Sequence, residues 1–208
     1  DDRIVLGKIG GANFAIPQNY LTAHKTELGP NAEWLQATWP ELQPNSKALD
    51  GRFNPESKRY VTSKIVLFTI STSFEAFRRG VAARESGSCY SNEKLGIISC
   101  EVPDGPSAFD RYIWDTKAEA LLHCYANNSQ VEAIDEFERC YWRIPMVTGI
   151  ALQIYLDPKQ RHDAKQVRDA VFSLACSFYR SDPASLPEID TCKQWHERGV
   201  FISPFNLP

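Results

Sequence analysis

Apolar residues along this chain fall mostly in short alternating or continuous runs, and one segment repeats at helical spacing. From Asp163 to Arg180, Val167, Ala170, Val171, Leu174, Ala175 and Phe178 recur at i, i+3, i+4, i+7, i+8 and i+11, which is one stripe of an amphipathic helix. The opening places Ile4–Ile9 and Phe14–Pro17 around Gly10-Gly11, a β-hairpin in which glycine supplies positive φ and Pro17 ends the second strand. Lys64–Ser71 (KIVLFTIS) is β-branched and apolar, as a central strand should be. Leu95–Val102, Arg111–Trp114, Glu138–Arg143 and Val147–Leu156 read as further strands, with Pro145 breaking the last two apart. Ser73–Arg84 fits a helix with Phe74, Phe77 and Val81 on one side, and residues 116–125 fit either helix or strand. Residues 28–59, rich in Pro, Asn and Gly, read as a long surface excursion pinned by Trp34, Trp39 and Phe53. The expected fold is α+β: mainly antiparallel β-sheet with one clear C-terminal amphipathic helix and disulfides. A single domain over residues 1–208 is expected, with 181–208 as a tail packed on the last helix.

Composition narrows the class. The 208 residues are 43% hydrophobic and 12% aromatic, with five Trp and eleven Phe, which is far from a disordered composition. The longest apolar runs, such as Ile65–Phe68, are well short of the roughly 20 residues a spanning helix needs, so no transmembrane segment is expected in this chain. A net charge of −3 without a basic block argues against nucleic acid as a partner.

The six cysteines are Cys89, Cys100, Cys124, Cys140, Cys176 and Cys192, and none forms a CxxC pair. Structural zinc and thioredoxin-type redox chemistry both favour that short spacing, so no metal site is expected. Six buried free thiols in a reducing compartment, or up to three structural disulfides in an oxidising one, remain. Spacing favours the disulfides. Cys89 and Cys100 bracket a turn-like stretch between two short strands, and Cys124 and Cys140 bracket the polar Asn127–Gln130 between two apolar runs. Cys176 lies nine residues past Val167, about 180° around the helix, and so faces away from the core stripe, where a tail carrying Cys192 could reach it. Each such loop would contribute about 3 kcal/mol by restricting the unfolded chain.

No catalytic constellation emerges. His24, His123, His162 and His196 show no HxxxH spacing; His162 reads as exposed and His123 as partly buried and hydrogen-bonded. Gly105–Phe109 lacks the closing glycine of a nucleophile elbow, and Gly7–Gly11 misses both dinucleotide and P-loop spacing. Glu132, Asp135, Glu136 and Glu138 crowd four acids into seven residues without Ca²⁺-loop spacing, which reads first as a solvated loop and second as a partner surface. Asn127-Asn128-Ser129 matches the short glycosylation acceptor motif. No catalytic residue and no cofactor is therefore expected, and a binding protein fits better than an enzyme.

The stretch Ile9-Gly10-Gly11-Ala12-Asn13-Phe14-Ala15-Ile16-Pro17-Gln18-Asn19-Tyr20-Leu21 resembles the opening of small exported proteins of Gram-negative bacteria. Some of these resemble periplasmic immunity proteins against type VI secretion effectors, including phospholipases. The resemblance implies a periplasmic protein that binds a cognate secreted toxin stoichiometrically, with any signal peptide or lipid tether lying outside these residues. The contact residues it suggests are Trp34, Trp39 and Phe53 in the excursion and Asp135, Glu136 and Glu138 in the acidic stretch, aromatic residues being frequent interface hot spots. For each tryptophan singly, anchoring the excursion to its own core is the simpler expectation. The other function considered is a periplasmic ligand- or envelope-binding module without catalysis.

Overall fold

The computed structural model describes residues 3–22, 25–44, 65–72, 89–92, 97–101, 111–115, 120–125, 139–147, 149–182, 184–187 and 192. Among these, the opening hairpin forms as expected: β1 (Ile4–Ile9) and β2 (Ala12–Pro17) pair antiparallel around Gly10 and Gly11, at φ +56° and +88°. A 3-10 turn at Gln18–Tyr20 leads onward. Next come β3 (Ala32–Thr38), β4 (Ile65–Ser71), β5 (Cys89–Asn92), β6 (Ile97–Glu101), β7 (Arg111–Asp115), β8 (Ala120–Tyr125), β9 (Arg139–Pro145) and β10 (Ala151–Leu156). A 3-10 helix at Pro158–Asp163 runs into α1 (Ala164–Phe178), and β11 (Tyr179–Arg180) follows directly.

The strands form two sheets. β11 adds to β2, giving the order β1-β2-β11, and the other eight give β3-β4-β10-β9-β8-β7-β6-β5, antiparallel throughout. Strands β5 to β10 each pair with the next in chain order, and the antiparallel β3–β4 pair joins the sheet beside β10. On one face of this sheet Leu35, Ala37, Phe68, Ile70, Leu122, Trp142, Ile144, Leu152 and Ile154 form the core beneath α1. The Trp142 indole N–H donates to the Ala164 carbonyl at 2.8 Å, and the Arg168 guanidinium lies 5.0 Å from the same ring centre, fixing the first turns of the helix on β9. At its other end Phe178 meets Tyr20 and Tyr179 meets Phe14, so α1 bridges the two sheets.

Three expectations change. Residues 32–38 of the supposed excursion are a full strand, paired with β4 from Ala32↔Ser71 to Thr38↔Ile65, because a seven-residue backbone ladder outweighs weak strand propensity. The buried arc of α1 is wider than the apolar stripe: Arg168, Phe172 and Cys176 are buried along with Val167, Val171, Ala175 and Phe178, while Ala170 and Leu174 are half-buried. A helix packed against two sheets and a bridged segment has little free face, so Cys176 belongs to the core rather than pointing away from it. The Met146 N–H donates to the Ile150 carbonyl and the Ile150 N–H to the Val147 carbonyl, so Val147 precedes the strand, and β10 begins only at Ala151. The ambiguous 116–125 segment yields strand β8 from Ala120. The helix expected over Ser73–Arg84 lies outside the described residues.

The disulfide expectation holds at the pairs the structure describes. Cys124 and Cys140 are directly opposed on β8 and β9 and bonded, with Cα atoms 4.1 Å apart. Cys176 is bonded to Cys192 across 5.5 Å, and both are fully buried. Cys89 is disulfide-bonded and stands opposite Cys100 in the β5–β6 ladder.

Candidate functional site

The face of the large sheet opposite α1 carries the polar and aromatic chemistry. Because directly opposed residues of antiparallel strands share a face, the register Tyr112↔His123↔Tyr141↔Tyr155 draws one row across β7, β8, β9 and β10. Tyr112 stacks on His123 at 4.2 Å between ring centres, and both are fully buried. Tyr125, two residues along β8, tilts against His123 at 4.1 Å and meets Tyr141 edge-on at 5.9 Å; Tyr141 meets Tyr155 at 5.5 Å.

A second row on the same face reads Leu121↔Arg143↔Gln153↔Thr69↔Trp34. Arg143 donates to Gln153 Oε1, and its guanidinium sits 5.5 Å from the Tyr141 ring centre. Burial lowers the Arg143 pKa from its usual range, while charge interaction and a hydrogen bond with Tyr125, and charge interactions with Tyr112 and Tyr141, act the other way. Burial, then the nearby Asp157 and Tyr141, raise the Tyr155 phenol above the usual tyrosine range. Thr69 Oγ1 and Arg143 Nε are buried without a hydrogen-bond partner. The row ends at β3 on Trp34, which is 50% exposed, while Gln36 and Thr38 on the same side of the strand are buried.

Beneath Trp34, on the core side of β3, Glu33 is fully buried. Its carboxylate accepts from Lys25 Nζ at 2.8 Å, from the Gly29 N–H at 2.9 Å and from the Trp34 N–H at 3.3 Å. The acid therefore ties the 25–31 segment to the strand that presents the tryptophan.

Of the suggested contact residues, the structure places two. Trp34 projects outward from a strand rather than pinning a loop, while Trp39, just past β3, packs against the core as expected of an anchor. Phe53, Asp135, Glu136 and Glu138 lie outside the described residues, as does Asn127–Ser129. His162 is exposed, and His123 is buried in the tyrosine row rather than partly buried. Nothing local in the sequence marks the row, although Cys124 opposite Cys140 fixes a register that sets His123 opposite Tyr141. Among the described residues no cluster of three or more His, Cys, Asp or Glu is placed to hold a metal, and no helix is long and apolar enough to cross a membrane.

No known family model matches the chain, and no curated protein matches its sequence. Its fold is similar to that of an immunity protein of the Stenotrophomonas maltophilia type IV secretion system, with a TM-score of 0.57 and 14% identity over 86% of this chain and 94% of that one. The likeness extends across most of both chains. A weaker likeness, with a TM-score of 0.44 and 12% identity over 84% of this chain and 93% of the other, is to the Neisseria meningitidis iron-regulated outer membrane lipoprotein FrpD.

Proposed function

We propose that this chain is a periplasmic immunity protein that binds a secreted antibacterial effector and holds it inactive, acting by occupation rather than catalysis. The observation that carries this reading is the fold likeness to an immunity protein across most of both chains. The buried disulfides suit an exported protein in an oxidising compartment. A cross-linked sheet with a fixed, half-exposed tryptophan also suits a rigid inhibitor, which loses little conformational freedom on binding. For the effector we favour the phospholipase type delivered by type VI secretion that the Ile9–Leu21 segment suggests; the fold neighbour serves a type IV system, so the route is a separate question from the binding.

The test is coexpression in the periplasm with the toxin encoded beside this chain, followed by copurification. Protection from the toxin and a stoichiometric complex are expected. Trp34→Ala should weaken that complex at least about 30-fold, the scale of a 2 kcal/mol hot spot, while leaving the fold intact. Neither protection nor a complex would overturn the proposal.

Arg143 favours a second reading, a ligand-binding module. A half-buried cation with an unpartnered Nε, set among tyrosines and two strands from the orphaned Thr69 hydroxyl, is chemistry of the kind that small anionic ligands engage. Thermal stabilisation by small carboxylates or phosphates, lost in Arg143→Met, would support it.

A further inference from the structure

Accessibility is uneven on the face of the large sheet turned away from α1. On β9 every second residue is within reach of solvent: Arg139 is exposed, and Tyr141, Arg143 and Pro145 are half-buried, while Cys140, Trp142 and Ile144 between them lie in the core. On β10 Gln153 and Tyr155 are half-buried, and on β8 only the last residue, Tyr125, is. The same face is buried on the strands to either side, at Tyr112 of β7, at Leu121 and His123 of β8, and at Thr69 and Ser71 of β4. An accessible strip therefore follows β9 and β10, hemmed by covered strands. The strip is cationic. Arg139 and Arg143 are four residues apart on β9, about 13 Å, and flank Tyr141. The Arg143 guanidinium lies over the Tyr141 ring, and the charges of Arg139 and Arg161 both reach the Tyr155 phenol, where Asp157 is the opposing acid. Among the described residues three arginines thus gather with one carboxylate, in a chain whose net charge is −3. Arginine, tyrosine and tryptophan are the residues in which binding energy concentrates at protein interfaces. Trp34 stands three strands from Arg143 in the same cross-strand row, about 14 Å away, so one interface of ordinary size spans both.

Resting on the immunity function proposed above, we infer that this strip is where the effector docks, and that it receives an acidic segment of that effector. The segment's carboxylates pair with Arg139 and Arg143, and its apolar atoms pack on Tyr141 and Tyr155. An extended segment laid along β9 has the same rise per residue, so acids four residues apart meet both arginines at once. Opposite charge on the two partners also steers their encounter.

Binding kinetics of the purified chain with the toxin encoded beside it test the surface. Arg139→Glu, at an exposed position, should slow association at least about tenfold and flatten its dependence on salt. Arg143→Met should weaken the complex at least about 30-fold, chiefly through faster dissociation. A photo-crosslinking residue in place of Tyr141 reads the contact without altering charge, and decides the matter even if Arg143→Met fails to fold. It should capture an effector peptide rich in Asp and Glu. If the parent chain forms no complex, the immunity function falls and the docking site with it. A complex that keeps its affinity and salt dependence in both variants overturns the docking site alone and moves the interface elsewhere. So does the absence of capture at Tyr141, or capture of a segment without acids. A small carboxylate or phosphate that Arg143 holds while the effector is still bound overturns it too, giving the strip to a ligand.

Discussion

Glu33→Gln is the most informative single change. The Glu33 side chain is fully buried, and its two oxygens serve three donors, one of them the Lys25 ammonium. Glutamine keeps the volume but replaces one oxygen with an NH2 group, which must then face either Lys25 Nζ or the Gly29 N–H, donor against donor. A charge-assisted hydrogen bond is worth about 1.5–3 kcal/mol, and a buried donor left unpaired costs about 1–3 kcal/mol. The Lys25 side chain is 41% exposed and can turn to water, so its share sits at the low end. We therefore expect a loss of about 3 kcal/mol, or roughly 1.5 M in urea midpoint at a slope near 2 kcal/mol/M. Lys25→Met should cost less, because the carboxylate keeps both backbone donors. Urea unfolding followed by tryptophan fluorescence measures both variants. A Glu33→Gln protein within about 0.5 kcal/mol of the parent, or a Lys25→Met protein that loses more, would refute this account of the buried acid, since one unsatisfied buried group alone should exceed that.

Three further outcomes are expected. Replacing Cys124 and Cys140 together with alanine opens a bridge of sequence separation 16, which should cost about 3 kcal/mol and lower the calorimetric Tm by roughly 6–12 °C; an unchanged Tm would contradict it. Gly10→Ala should cost about 3 kcal/mol and Gly11→Ala about 1 kcal/mol, since both have positive φ but only Gly10 would drive a Cβ to 2.3 Å from Thr72 Cγ2; equal losses would remove the steric argument. The raised phenols Tyr155 and Tyr20 stay protonated in the folded chain when the unfolded chain ionises, so stability should hold below about pH 10 and fall as pH rises beyond it. Tyr155→Phe should flatten that fall in urea midpoints measured across the alkaline range, and an unaltered slope would assign it elsewhere.

The elements legible in the sequence are those whose local chemistry and tertiary role agree. Gly10-Gly11 fixes the first turn, KIVLFTIS is both β-prone and internal, and the Val167–Phe178 periodicity yields the helix. β3 is illegible because its core-facing positions are Glu33, Leu35 and Ala37, so a buried acid interrupts the alternation that would announce a strand. The full width of the buried helix face is illegible because Arg168 counts as polar in any periodicity, although it is buried over Trp142. The tyrosine row is non-local: taken strand by strand, the aromatics of β7 to β10 are ordinary, and only the register aligns them. That register is partly available, since a cross-strand cystine sets every neighbouring pair on β8 and β9. Trp34 reads as an anchor in the bare sequence because its outward aim depends on its being in a strand.

The order of the large sheet also dictates when this chain can finish folding. Strand β4 finds its second neighbour in β10, with all of β5 to β9 threaded between them, and β2 completes its sheet only with β11. A chain emerging N-terminus first therefore holds Ile65–Ser71 half-paired while about 80 more residues are made, some 4–16 s at ordinary synthesis rates. During that wait a β-prone apolar edge is open to any other nascent strand. Truncations that end before Ala151, although they spare Trp34, Tyr141 and Arg143, should thus show up first as aggregation rather than as lost binding.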